Sequence, residues 1–203
     1  MGKKSRKKQY KQISKGKKRG KKYLVKPKII NIRRLMAAFV IWLLIMAVIL
    51  SFFFSVTRIR GYGMIPNFRD KDIVLLNKRQ PIKRFDVVQC ELGRGKNLLR
   101  VIGLPGDKVA YKHDELFIND EQIDEKHLIR EINEARKNSG VYTEDFTNQL
   151  LGDSLVVPVG SYILLGDNRK HTNDSRLYGY VTSDQIKGVV VYRLFPFAKE
   201  KHA

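Results

Sequence analysis

The apolar positions of this chain form two kinds of pattern. From Leu35 to Val56 they are continuous: LMAAFVIWLLIMAVILSFFFSV, with two serines as the only polar interruptions. A helix of that length rises ~33 Å at ~1.5 Å per residue, enough for a ~30 Å hydrocarbon core. No face of it is polar, which argues against a helix of a soluble core. It is longer than the ~7–15-residue apolar region of a cleaved signal peptide, and Thr57, Arg58, Ile59 and Arg60 follow it. An uncleaved transmembrane helix over 35–56 is therefore expected.

After residue 56 the apolar positions come in short runs. Asp72–Leu76, Asp86–Val88, Leu98–Ile102, Lys108–Tyr111, Leu116–Ile118, Ser154–Val157, Tyr162–Leu165 and Gly188–Leu194 suit strands. Turn residues separate them: Pro105-Gly106-Asp107, Asn119-Asp120, Pro158-Val159-Gly160 and Gly166-Asp167-Asn168. Lys112–Ile123 reads as a hairpin with an acidic turn at Asn119–Glu121. Asp124–Lys137 reads as a short helix, and the polar stretch through Gly152 as part of an insertion around 124–152. About 145 residues suffice to bury one sizeable core. The expected fold is mainly β, one twisted sheet domain over 57–203 behind one N-terminal transmembrane helix.

Charge adds the orientation. The 203 residues carry 40 Lys and Arg against 20 Asp and Glu. Sixteen of the basic residues, and no acidic one, lie in 1–34. The remaining 24 basic and all 20 acidic residues follow the apolar run. The body is nearly balanced, which argues against a basic nucleic-acid-binding domain, and no specific nucleic acid is expected as a partner. Positive residues stay on the cytoplasmic side. The expectation is a single-pass protein of the cell membrane, N-terminus cytoplasmic and domain extracytoplasmic. The tail lacks hydrophobic periodicity and is expected to be disordered. It would set topology and attract anionic membrane lipid, at ~1 kcal/mol per basic residue. One cysteine, Cys90, excludes an internal disulfide and a cysteine zinc cluster. No metal or cofactor is expected.

Three segments exceed strand and turn. The first, Arg60-Gly61-Tyr62-Gly63-Met64-Ile65-Pro66-Asn67-Phe68, directly follows the apolar run, so that Met64 and Phe68 are candidates for lipid contact. The second is Leu99-Arg100-Val101-Ile102-Gly103-Leu104-Pro105-Gly106-Asp107. The third is Gly166-Asp167-Asn168-Arg169-Lys170-His171-Thr172-Asn173-Asp174-Ser175-Arg176. Each alone reads as a structural loop, the third held by Asp–Arg pairs.

In combination, after one N-terminal anchor, they resemble type I signal peptidases, membrane serine proteases with a Ser–Lys dyad. That family has Gly-x-Ser-Met-x-Pro-Thr where this chain has Gly61 to Asn67. Its Lys-Arg-x-x-Gly-x-Pro-Gly-Asp box matches Leu99 to Asp107 except at the first position. Its Gly-Asp-Asn-Arg-x-x-Ser-x-Asp-Ser-Arg box matches Gly166 to Arg176, with Thr172 for the first serine. Gly188 to Pro196 resembles the family's ending. The resemblance covers 35–197.

Two departures follow. Such a hydrolase needs a hydroxyl to attack the carbonyl and a neutral, buried amine to take its proton. Gly63 stands at the nucleophile position and Leu99 at the base position. Tyr62, on the other face of an expected strand, and Thr57 are poor replacements. Lys96 is ~10 Å from position 99 along a strand, and no serine is predictably beside His171. By the resemblance, Gly61, Met64 and Pro66 belong to the groove and oxyanion region. Arg100, Asp107, Asp167, Thr172, Asp174, Ser175 and Arg176 are then supporting residues, Asp174 pairing with Arg176 or Arg100 to tie the third box to the second.

The expected function is a membrane-anchored, non-catalytic binder or chaperone for exported preproteins. Degenerate relatives in Gram-positive pilus clusters imply pilin-like surface proteins and a sortase as candidate partners. The alternative is an active signal peptidase with an unrecognised catalytic pair. A third reading makes the basic tail the functional end.

Overall fold

The computed structural model describes residues 32–93, 95–152 and 154–196. The basic tail therefore lies outside the described residues, apart from Ile32, Arg33 and Arg34. Helix α1, Ile32–Phe53, is exposed along its length and is long and apolar enough to cross a membrane. It ends three residues before the apolar run does. Phe54–Val56 instead begin strand β1, Phe54–Arg58, whose partner β2, Ile73–Asn77, fixes them in a ladder from Phe54↔Asn77 to Arg58↔Ile73. An apolar run cannot by itself announce where helix gives way to strand.

The remaining strands are β3 Val87–Leu92, β4 Gly95–Gly103, β5 Val109–Lys112, β6 Glu115–Ile118, β7 Glu121–Ile123, β8 Phe146–Thr147, β9 Ser161–Leu165, β10 Val181–Thr182 and β11 Ile186–Phe195. They form a seven-stranded sheet ordered β1-β2-β11-β3-β4-β9-β10 and a four-stranded sheet ordered β7-β6-β5-β8. The domain is thus mainly β, but its core lies between and around two sheets, not one. Short helices occur at α2 Ile129–Lys137, α3 Asn148–Leu151 and α4 Ser175–Tyr178.

Strand alternation sorts the side chains. Ile102 of β4 and Ile163 and Leu165 of β9 pack on Val109, Tyr111, Leu116, Ile118 and Phe146 of the smaller sheet. Leu99 and Val101, on the opposite face of β4, pack with Val88, Cys90 and Leu164. At Gly103 the sheets come too close for any side chain: an added Cβ would sit 2.9 Å from Val109 Cγ2. Both β5–β6 and β6–β7 are tight hairpins. His113-Asp114 and Asn119-Asp120 supply the pairs of positive φ angles that such two-residue turns need.

Three expectations change here. Ser154–Val157 is a loop, not a strand: only Val157 of it is buried, and its N–H reaches Asp107 O at 2.8 Å. Met64 is 2% exposed and Phe68 packs against Ile59, Val74 and Leu76, so neither is free for lipid. Residues 124–152 are built into the fold: they give β8 to the smaller sheet and bury Leu128, Thr143, Phe146 and Asn148.

Candidate functional site

Gly63 lies in a turn between β1 and β2, not in a strand, and its carbonyl is the anchor of the site. It accepts Asn168 N–H at 2.9 Å and the Thr172 hydroxyl at 3.0 Å. Asn168 Nδ2 also donates to Tyr62 O at 3.1 Å, and Asn67 Nδ2 to Asp167 Oδ2 at 2.8 Å. The first and third boxes are thereby zipped together over a sequence distance of about a hundred residues.

Thr172 fills the corner between two glycines. A Cβ on Gly63 would meet its Oγ1 at 3.0 Å and its Cγ2 at 3.2 Å. On Gly166 a Cβ would lie 2.3 Å from both atoms, so glycine there is a steric requirement. The one hydroxyl proton of Thr172 is shared between Gly63 O and Asn168 O, at 3.0 and 2.7 Å. Leu99 is 1% exposed within the apolar cluster of Val88, Cys90, Val101 and Leu164. A leucine buried this way contributes roughly 2 kcal/mol.

Of the groups weighed as replacements, Thr57 is half-buried in β1 on the wall of the groove described below. Tyr62 is 65% exposed and His171 is exposed. Lys96 stands on an open wall, opposite Glu91 in the β3–β4 register. Burial pushes the Cys90 thiol up to about 12, so it is not a thiolate near neutrality.

Behind this corner lies a saturated cluster of charge. Arg100 forms a two-point pair with Asp167, Nε to Oδ1 at 2.7 Å and Nη2 to Oδ2 at 2.6 Å. Arg169, fully buried, donates to both Glu125 oxygens, the Tyr111 hydroxyl, Thr143 Oγ1 and Gly166 O. Asp174 accepts from Gly166 N and Arg176 N and pairs with the Arg176 guanidinium. Ser175 Oγ accepts from Leu164 N at 2.9 Å. Asp107 closes the Pro-Gly turn, accepting from Leu104 N and pairing with Arg84. So Asp174 meets Arg176, as one of the two expected options had it. The tie between second and third boxes, however, is Asp167 on Arg100, not Asp174.

A groove of about 980 Å³ opens beside the site. One wall is β1 and the residues after it, to Gly61; the other is the end of β3 and the start of β4, to Asn97. Each wall leads along the chain, within two residues, to Gly63 or to Leu99. Gly61 lines this groove; Met64, buried, and Pro66, exposed in the turn, do not.

The signal peptidase family, peptidase S26, matches residues 32–195. The chain belongs to that family. Signal peptidase I of Bacillus caldolyticus is 35% identical over 158 residues, covering 75% of this chain and 86% of that protein. Signal peptidase I of Streptococcus pneumoniae serotype 4 is 33% identical over 187 residues, covering 79% and 92%. A crystal structure of a signal peptidase I from Enterococcus faecalis is 36% identical, with a TM-score of 0.49, and covers 55% of this chain and 98% of that one.

Within this signal peptidase-type site, four residues escaped sequence reasoning: Glu125, His127, Tyr142 and Thr143. Tyr142 donates to Asp167 O at 2.7 Å. His127 packs tilted against Phe85, ring centroids 5.5 Å apart, with Nε2 3.7 Å from Asp167 Oδ1 and 3.8 Å from Glu125 Oε1. Burial, with the Arg100 and Arg169 charges adding to it and Asp167 opposing, pulls its pKa down to about 3. It is neutral at pH 7. All four come from the segment read as an insertion. Their one sequence signal was polar residues without the turn chemistry that would place them on the surface.

Proposed function

We propose that this chain is a membrane-anchored signal peptidase relative that holds exported polypeptide without cutting it. One observation carries the reading: at the two positions that the family resemblance assigns to nucleophile and base stand a glycine and a buried leucine. The hydroxyl nearest Gly63, that of Thr172, spends its proton on two backbone carbonyls. A buried lysine without a partner would cost several kcal/mol, whereas leucine at 99 adds to the core. Peptide capture needs only free strand edges and a groove, and these remain. With α1 crossing the membrane and the basic tail on the cytoplasmic side, the groove faces the exported chains. Its partners are then preproteins or pilin-like surface proteins, and the finer form of the proposal is assistance to sortase-driven pilin assembly.

The test mixes the full chain in detergent with a preprotein carrying a small-x-small site and reads new N-termini by mass spectrometry. Parallel samples carry Gly63→Ser with Leu99→Lys, and the same pair with Thr172→Ser, since the Gly63 Cβ contacts call for room at residue 172. No cut by the natural chain and cutting by a revertant is the expected result. The rival reading, an active peptidase, is favoured by the names of the curated relatives. Cleavage by the natural chain at the expected site would establish it and end this proposal.

A further inference from the structure

We propose that the groove selects extended peptides with acidic side chains at alternate positions, through Arg58, Arg60 and Lys96. This rests on the binding reading above and adds which peptide is bound.

The walls are strand edges. β1 pairs with β2 on one side and, among the described residues, has no ladder on the other. β4 pairs with β9 only from Arg100 onward, leaving its first residues open on that side. A peptide added there lies extended, its side chains alternating between faces. Arg58 and Arg60 are exposed while Ile59 between them is buried, so both cations share one face. Residues two apart along a strand are ~6.6 Å apart, the same interval at which a bound strand presents its own same-face side chains. Lys96 supplies the third cation, from the opposite wall.

Little anionic charge opposes them. Glu91 is the carboxylate on the groove wall, and Lys187 Nζ already holds it at 3.1 Å. Asp70, next to the groove, accepts Gly61 N–H at 2.9 Å. Among the described residues, Arg58, Arg60 and Lys96 have no ion pair, whereas Arg84, Arg100, Arg169 and Arg176 each hold a carboxylate. A cleft lined by one sign of charge raises the local concentration of the opposite sign. A flat sheet of anionic headgroups cannot enter a concave groove as a single strand can.

The test uses the full chain in phosphatidylcholine nanodiscs and a short fluorescent peptide alternating Glu and Thr, with its Gln–Thr counterpart. Anisotropy is read at about 50 mM and about 500 mM salt, where screening lengths differ about threefold. The Glu peptide is expected to bind about tenfold tighter at low salt, with the advantage collapsing at high salt. The Arg58→Gln, Arg60→Gln, Lys96→Gln variant is expected to lose the advantage and keep its affinity for the Gln peptide. Equal binding of the two peptides overturns the charge selection and leaves the binding reading standing. Binding of neither overturns both. A variant that keeps its Glu preference but loses binding to phosphatidylglycerol vesicles assigns the cations to lipid headgroups and overturns the proposal.

Discussion

The cluster behind the third box and the corner at Gly63 are joined by the loop that carries Asp167, Thr172 and Asp174, and they differ in almost every physical respect. In the cluster, Arg100, Asp167, Arg169, Glu125, Asp174 and Arg176 are buried or nearly so, and each charge meets its opposite. At the corner, Gly63 has no side chain and Thr172 occupies the space beside it. Leu99, at the second altered position, is wholly apolar and enclosed. The difference separates two jobs that one motif combines. Residues that neutralise buried charge must stay as long as the fold stays, because losing one strands another. Gly63 and Leu99 carry no charge to strand, and Leu99 packs into the core.

Glu125→Ala has the largest expected effect. It strands Arg169, a buried guanidinium, and is expected to cost ~3–5 kcal/mol, a fall in Tm of roughly 10 °C. An unfolding free energy from denaturant titration within about 1 kcal/mol of the parent would mean the cluster is not the brace described. Asp174→Ala comes next. It removes the acceptor of Gly166 N and Arg176, and ~2–3 kcal/mol should go with it; Arg176 keeps its bond to Arg169 O, which limits the loss. An unchanged Tm contradicts this.

His127 gives a pH signature to the same cluster. Its folded pKa, about 3, lies below the ordinary ~6.5. Folding therefore favours the neutral form, and its contribution is whole above pH ~6.5 and lost as pH falls toward 3. Against His127→Gln, the parent should lose up to ~1.4 kcal/mol more per pH unit over that window, about 2 kcal/mol between pH 6.5 and 5. Parallel stability curves would refute the burial argument. The smallest effect belongs to the corner. Gly63→Ala should cost ~1 kcal/mol by crowding Thr172, and less in the presence of Thr172→Ser. A double-mutant cycle without coupling would show that Thr172 yields freely.

Much of this was legible in the chain. Short apolar runs between turn signals mark β2, β3, β4, β5, β6, β9 and β11, because strands buried on one face or on both leave few polar positions. β1 was hidden, since Phe54, Ser55 and Val56 look like more of the preceding helix. The two-residue strands β8 and β10 carry too short a pattern to register. In the site, the boxes gave the residues but not their pairings. Asp167 meets Arg100 and Asp174 meets Arg176 because of sheet register and a loop path, and neither is written in spacing. Glu125 and Thr143 stayed out of sight for a related reason: they are buried by being paired, not by being apolar, so their segment, with the half-buried Tyr142, reads as surface.

The Thr172 corner also bears on history. A side chain arising at residue 63 would enter that corner freely only if its space stood open. Here the space is taken up by Thr172, whose single hydroxyl is directed at both Gly63 O and Asn168 O. Any side chain at residue 63 asks residue 172 to give way. The corner therefore makes residues 63 and 172 an epistatic pair: what descent can place at one depends on what already stands at the other.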